Sequence, residues 1–96
     1  MFEFSIFTGN IYNWDVSNVT DMSGMFYDAD FNGNISRWDV SSVITMNEMF
    51  AYSRFNNDIS GWDVINVKYY SYIFNKCDIK EEYIPKRFRK NKFFKF

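Results

Sequence analysis

WDVSNVTDMSGMF, residues 14–26, returns as WDVSSVITMNEMF at 38–50 and as WDVINVKYYSYIF at 62–74. The copies stand 24 residues apart, and a fixed period in the twenties marks a chain built by stacking one short unit. Working outward from each copy gives three units, 7–30, 31–54 and 55–78, which open FTGNIYNWDVSNV, FNGNISRWDVSSV and FNNDISGWDVINV. Apolar residues recur in register at Phe7/Phe31/Phe55, Ile11/Ile35/Ile59, Trp14/Trp38/Trp62, Val16/Val40/Val64 and Val19/Val43/Val67. A second set follows at Met22/Met46/Tyr70, Met25/Met49/Ile73 and Phe26/Phe50/Phe74.

Two periodicities share the unit. Trp-x-Val puts apolar residues two apart, which suits a short strand with Asp15, Asp39 and Asp63 facing outward. The second set, at i, i+3 and i+4, is the inward stripe of a short helix. Asp21 and Thr45 precede two of these stripes and can cap them, and Thr45-x-x-Glu48 has capping-box spacing. Tyr69 holds that place in the third unit and cannot cap in the same way, so the third helix should be less regular. The expected fold class is an α/β repeat in which each 24-residue unit contributes one short parallel strand and one short helix. Stacking at about 5 Å would set Trp over Trp, Val over Val and Phe over Phe.

A lone unit cannot bury its apolar face, and three units are near the minimum for stability. The segments outside the period are therefore read as covers: residues 1–6 at the N-terminal end and 79–88 at the C-terminal end. In the second of these, Ile84, Phe88 and Tyr83 should pack on the third unit, and Pro85 should stop any helix begun at Lys80. Residues 89–96 read as a basic aromatic tail. With 96 residues there is room for a single core, and aromatics at 23% supply the bulk to fill it.

Composition also excludes chemistry. Histidine is absent and Cys77 stands alone, so no internal disulfide, Cys/His metal cluster or histidine-based triad can form. Cys77 reads as a small, partly buried apolar residue. The opening MFEFSIFTGN lacks the basic n-region of a signal peptide, and no apolar run reaches the roughly 18 to 20 residues of a membrane span. The net charge of −1 hides a split: residues 1–85 hold twelve acids and five bases, for −7, whereas 86–96 hold six bases and no acid, for +6. The chain is an acidic body with a basic end.

The recurring pattern F-N-x-(N/D)-I-S-x-W-D-V-S-x-V followed by M-x-x-M-F, with WDVSNVTDMSGMF at 14–26 nearest to the usual wording, resembles a known family. It is the bacterial surface-protein repeat of about 25 residues, related to BspA-type leucine-rich repeats and common in mycoplasma-type lipoproteins. The resemblance covers residues 7–78 and implies a short right-handed, leucine-rich-repeat-like solenoid with terminal capping segments. It also implies a cell-surface or secreted setting and an adhesin-type role, with no activity to transfer.

Four features are candidates for function. The aspartates Asp15, Asp39 and Asp63 could form a weak cation stripe, since hard cations take oxygen ligands. Against that, each carboxylate can accept hydrogen bonds from the turn that follows it, which is the simpler reason for recurrence in every unit. Asn18-Val19-Thr20 and Asn34-Ile35-Ser36 match glycosylation sequons but fit a structural turn or an asparagine ladder better. The Met-x-x-Met-Phe stripes have core spacing. In the tail, Lys86, Arg87, Arg89, Lys90, Lys92 and Lys95 alternate with Phe88, Phe93, Phe94 and Phe96, a mixture that could hold phosphates while rings stack or enter a membrane interface.

The expected function is a non-enzymatic repeat domain that presents a face to a protein or glycan partner. Nucleic-acid or membrane-surface binding through the tail is the alternative. Ligand contacts need not obey the repeat, so the face should lie where units differ. The candidates are Asn13, Asp15, Ser17, Arg37, Asp39, Ser41, Asp63 and Ile65. No catalytic set, cofactor or metal site is expected, because the acids recur with the repeat instead of clustering in one special unit. An uncovered last layer would favour end-to-end self-association.

Overall fold

The computed structural model describes residues 11–89. The expected N-terminal cover 1–6, Phe7 of the first unit, and Lys90, Lys92 and Lys95 of the tail lie outside these residues. Each unit folds as a chain of tight turns. The Trp N–H closes a turn on the Ile three residues earlier (Trp14 to Ile11, Trp38 to Ile35, Trp62 to Ile59), and the second Val closes the next (Val19 to Val16, Val43 to Val40, Val67 to Val64). Three further turns then follow in a run: Met25 to Met22, Tyr27 to Gly24 and Ala29 to Phe26 in the first unit, repeated at 46–53 and 70–77.

The expected α/β solenoid, with its leucine-rich-repeat-like strand and helix in each unit, is not what this chain forms. Among the described residues there is no α-helix and no sheet. Regular elements are limited to two 3-10 turns, η1 (Glu81–Tyr83) and η2 (Lys86–Phe88), and to single parallel bridges Asp21↔Thr45 and Thr45↔Tyr69. The backbone donors explain both absences. In an α-helix the N–H groups beyond the first turn bond within their own segment. Here alternate N–H groups leave the segment: Met22, Gly24, Phe26 and Asp28 donate to the carbonyls of Thr45, Asn47, Met49 and Ala51 in the next unit, at 2.8–3.0 Å. Met46, Glu48, Phe50 and Tyr52 donate in the same way to Tyr69, Ser71, Ile73 and Asn75. The intervening N–H groups close the turns.

This alternation needs left-handed residues. Gly24, Glu48 and Tyr72 have φ of +66°, +56° and +58°, and Asp28, Tyr52 and Lys76 have +55°, +58° and +57°. Each is the third residue of its turn, where a type II turn requires positive φ. A helix tolerates no such residues, and Asp21 and Thr45 consequently cap nothing: they form the bridges. At Trp-Asp-Val the strand fails for a related reason. The Trp N–H is spent on the preceding Ile, and the N–H two residues after each Asp is spent on that carboxylate. The donors flanking the segment are thus turned into their own unit.

The inward stripes survive without the helix. Met22, Met46, Phe26, Phe50, Val43, Val67, Phe31 and Phe55 are all sealed from solvent, in one continuous core. Rings form ladders across units: Phe26–Phe50 and Phe50–Phe74 at 5.6 Å, Phe31–Phe55 at 6.2 Å, Trp38–Trp62 at 6.5 Å and nearly parallel. Each indole also donates to the preceding unit, Trp38 Nε1 to Ile11 O at 3.1 Å and Trp62 Nε1 to Ile35 O at 3.0 Å. Trp14 departs from the expected core ladder, being 44% exposed.

Asparagines bind the edges. Asn32 Oδ1 accepts from Asn56 N, and Asn56 Oδ1 accepts from Lys80 N, one step later in the same register. That register carries on past residue 78: Ile59 N donates to Tyr83 O, so the C-terminal segment runs as an abbreviated fourth turn of the stack. Within it Ile84 and Pro85 are buried, Phe88 lies 4.4 Å from the Tyr70 ring, and η1 ends before Pro85.

Candidate functional site

The three aspartates of the expected face are exposed and serve their own turns. Asp15 Oδ1 accepts from Ser17 N at 3.0 Å and from Ser17 Oγ at 2.6 Å, and Asp39 Oδ1 accepts from Ser41 N and Oγ at the same distances. These bonds favour the charged form. They hold both carboxyls below the ordinary aspartate value, with the serine hydroxyl the larger cause and the backbone N–H the second. Asp58 is lowered in the same way by Ser60, with a smaller contribution from the charge of Arg89. Among the described residues no group of three or more Cys, Asp or Glu side chains is placed to hold a metal ion. Asn34 Oδ1 accepts from Ser36 N and Oγ, the turn role expected for that sequon.

Asp63 differs. Its Oδ1 accepts from Ile65 N at 3.2 Å, but isoleucine has no hydroxyl, so the second bond made in the first two units has no counterpart. Ile65 itself is 75% exposed. Arg37, the other break in the pattern, lies over the Tyr12 ring at 5.9 Å and donates to its hydroxyl at 3.2 Å.

The described part of the basic end is ordered by hydrogen bonds to backbone carbonyls. Arg87 Nη1 donates to Val64 O at 2.9 Å, and its guanidinium stands 5.4 Å from the Tyr70 ring and 5.9 Å from the Phe88 ring. Arg89 Nε donates to Ile84 O and its Nη2 to Glu82 O, which ties Arg89 back onto the segment 82–84. Lys86 is exposed.

These features meet in one place. An open recess of about 440 Å³ is lined by Ser60, Trp62, Asp63, Val64 and Ile65 of the third unit and by Pro85, Lys86, Arg87 and Arg89 of the terminal segment. It therefore joins two of the expected face residues, Asp63 and Ile65, to three of the tail bases. Asn13, Asp15, Ser17, Arg37, Asp39 and Ser41 lie on the first two units and do not line it. Carrying the 24-residue register one step further would have found the junction, because Lys86 and Arg87 fall in the places of Trp62 and Asp63. Cations replace a ring and an anion, and the indole that would fill the space is missing.

A second, more polar depression of about 720 Å³ is lined by Asp30, Asn32, Ser53, Arg54, Asn56 and Asp78. Arg54 pairs with Asp30 at 3.1 Å, but both side chains are more than half exposed and the pair contributes little. Outside both depressions Tyr52, Tyr69 and Tyr72 are exposed. Cys77 is partly buried beside Ser53 and Phe55, and burial pushes its thiol up.

No curated protein and no solved structure matches the chain. A family model matches residues 1–87 and so spans the stacked units, the abbreviated fourth turn and most of the recess. The chain belongs to the family described as Mycoplasma protein of unknown function, DUF285.

Proposed function

We propose that this chain is a non-enzymatic binding domain that presents its third-unit end to a protein or glycan partner, in a surface setting of the adhesin type that BspA-like repeats suggest. The observation that carries the reading is the recess. It unites the residues where the repeat pattern breaks, Asp63 with Ile65 and Lys86 with Arg87, whereas Asp15 and Asp39 in the first two units each hold a serine hydroxyl that Asp63 does not. Binding surfaces of repeat proteins vary where the stack does not depend on the residue. An exposed Ile65 flanked by charge has the apolar centre and polar rim of a small interface.

The test compares Ile65→Ala and Lys86→Ala with Ser17→Ala at the far end, on an array of immobilised glycans and proteins. The reading requires loss of at least one interaction in the first two variants and its retention in the third. Equal binding by all three variants to every ligand would remove it.

A further inference from the structure

We infer that the recess is a site for an anionic sugar, a saccharide unit bearing a carboxylate or sulfate. The inference rests on the binding-domain reading and names its ligand class. In the lining three cations, Lys86, Arg87 and Arg89, meet a single carboxylate, Asp63, with Asp58 outside it near enough to feel Arg89, on a chain whose first 85 residues carry −7. A positive recess in an otherwise acidic body focuses anions there. Arg89 is committed to two carbonyls, so the anion falls to Lys86 and Arg87. Arg87 spends one of its five N–H donors on Val64 O, and the Tyr70 and Phe88 rings stand beside its guanidinium. A cation fixed before binding loses little freedom when the ligand arrives.

Asp63 separates a sugar acid from a bare polyanion. A polymer dense in phosphate meets repulsion from a carboxylate among the cations. A sugar acid offers hydroxyl donors beside its anion, and Asp63 lacks the serine hydroxyl that Asp15 and Asp39 already hold. Ser60 adds a hydroxyl at the rim, and Ile65 gives the C–H face of a pyranose an apolar surface to lie on.

The test uses the full chain and isothermal titration at low salt with four probes: hyaluronan-derived oligosaccharides (carboxylate), heparin-derived oligosaccharides (sulfate and carboxylate), neutral maltooligosaccharides and single-stranded DNA. The two acidic sugars should bind at least tenfold more tightly than the neutral one. Whichever of them binds better identifies the preferred anion. Lys86→Ala should weaken both by about tenfold, the scale of one charge-assisted hydrogen bond. Asp63→Asn, which keeps the acceptor for Ile65 N, should also weaken the acidic sugars yet leave DNA binding equal or stronger. Circular dichroism and Tm verify that both variants stay folded. The inference is overturned if acidic sugars do not bind, if both variants bind them unchanged, or if DNA binds more tightly than every sugar. Binding of a neutral sugar or a protein that Ile65→Ala abolishes, without acidic-sugar binding, removes this inference and keeps the binding-domain reading. No binding to any glycan or protein removes both.

Discussion

Replacing Gly24 by alanine separates a run of turns from a helix by the sign of its effect. Gly24 sits at φ +66°, and a Cβ built there would meet only Tyr27 Cβ, at 4.0 Å. No clash is created, so the change acts on the backbone alone. Holding a non-glycine residue in the left-handed region costs about 1–2 kcal/mol. Restricting the unfolded chain returns about 0.4–1 kcal/mol. The net expectation is a loss of about 0.5–1 kcal/mol, which for a domain of this size lowers Tm by roughly 2–8 °C. A helix spanning 22–26, as the i, i+3, i+4 spacing suggests, would instead gain about 1 kcal/mol from the same substitution. Glu48→Gly is the mirror experiment: at φ +56° it relieves strain, so stability should hold or rise, whereas a helix would lose about 1 kcal/mol. Urea and thermal denaturation of the three proteins decide it. A rise in stability for Gly24→Ala together with a fall for Glu48→Gly would refute the turn-run account.

Three further outcomes are expected. Phe50→Ala removes a sealed ring that touches Phe26, Phe55 and Phe74 at 4.5–5.6 Å, and urea titration should show a loss of about 3–5 kcal/mol. Because the folded carboxyls of Asp15 and Asp39 lie below their unfolded value, their hydrogen bonds contribute above that value and are lost as pH falls through the folded one. Ser41→Ala should therefore raise the Asp39 midpoint and leave Asp15 in place in an NMR titration below about pH 5. An unmoved Asp39 would show that Ser41 does not set it. Cys77, with its thiol pushed up by burial, should react with a disulfide reagent at pH 8 well below the rate of free cysteine, and an equal rate would contradict its placement.

Much of the packing was legible in the chain. The 24-residue register, the buried Ile, Val, Met and Phe positions and the turn role of the aspartates all follow from local pattern, because burial depends on which residues recur together. The backbone path was not legible. A stripe at i, i+3, i+4 serves a helix and a run of tight turns equally well, and the choice turns on where alternate N–H groups find acceptors. Those acceptors are the carbonyls of Thr45, Asn47 and Met49, 23 residues further on, which no window of local sequence contains.

The site divides along the same line. Sequence alone picked out Asp63, Ile65 and the basic residues 86–89, since a broken repeat and a charge excess need no coordinates to be seen. Only the tertiary structure joined them. The abbreviated fourth turn repeats the asparagine hydrogen bond of the stack at Lys80 and adds one from Ile59 N to Tyr83 O, and it brings Lys86, Arg87 and Arg89 beside Asp63 to line the recess. A repeat determines which residues must pack because stacking needs the same surface in every unit. What its last, unrepeated turn exposes is decided by contacts across units.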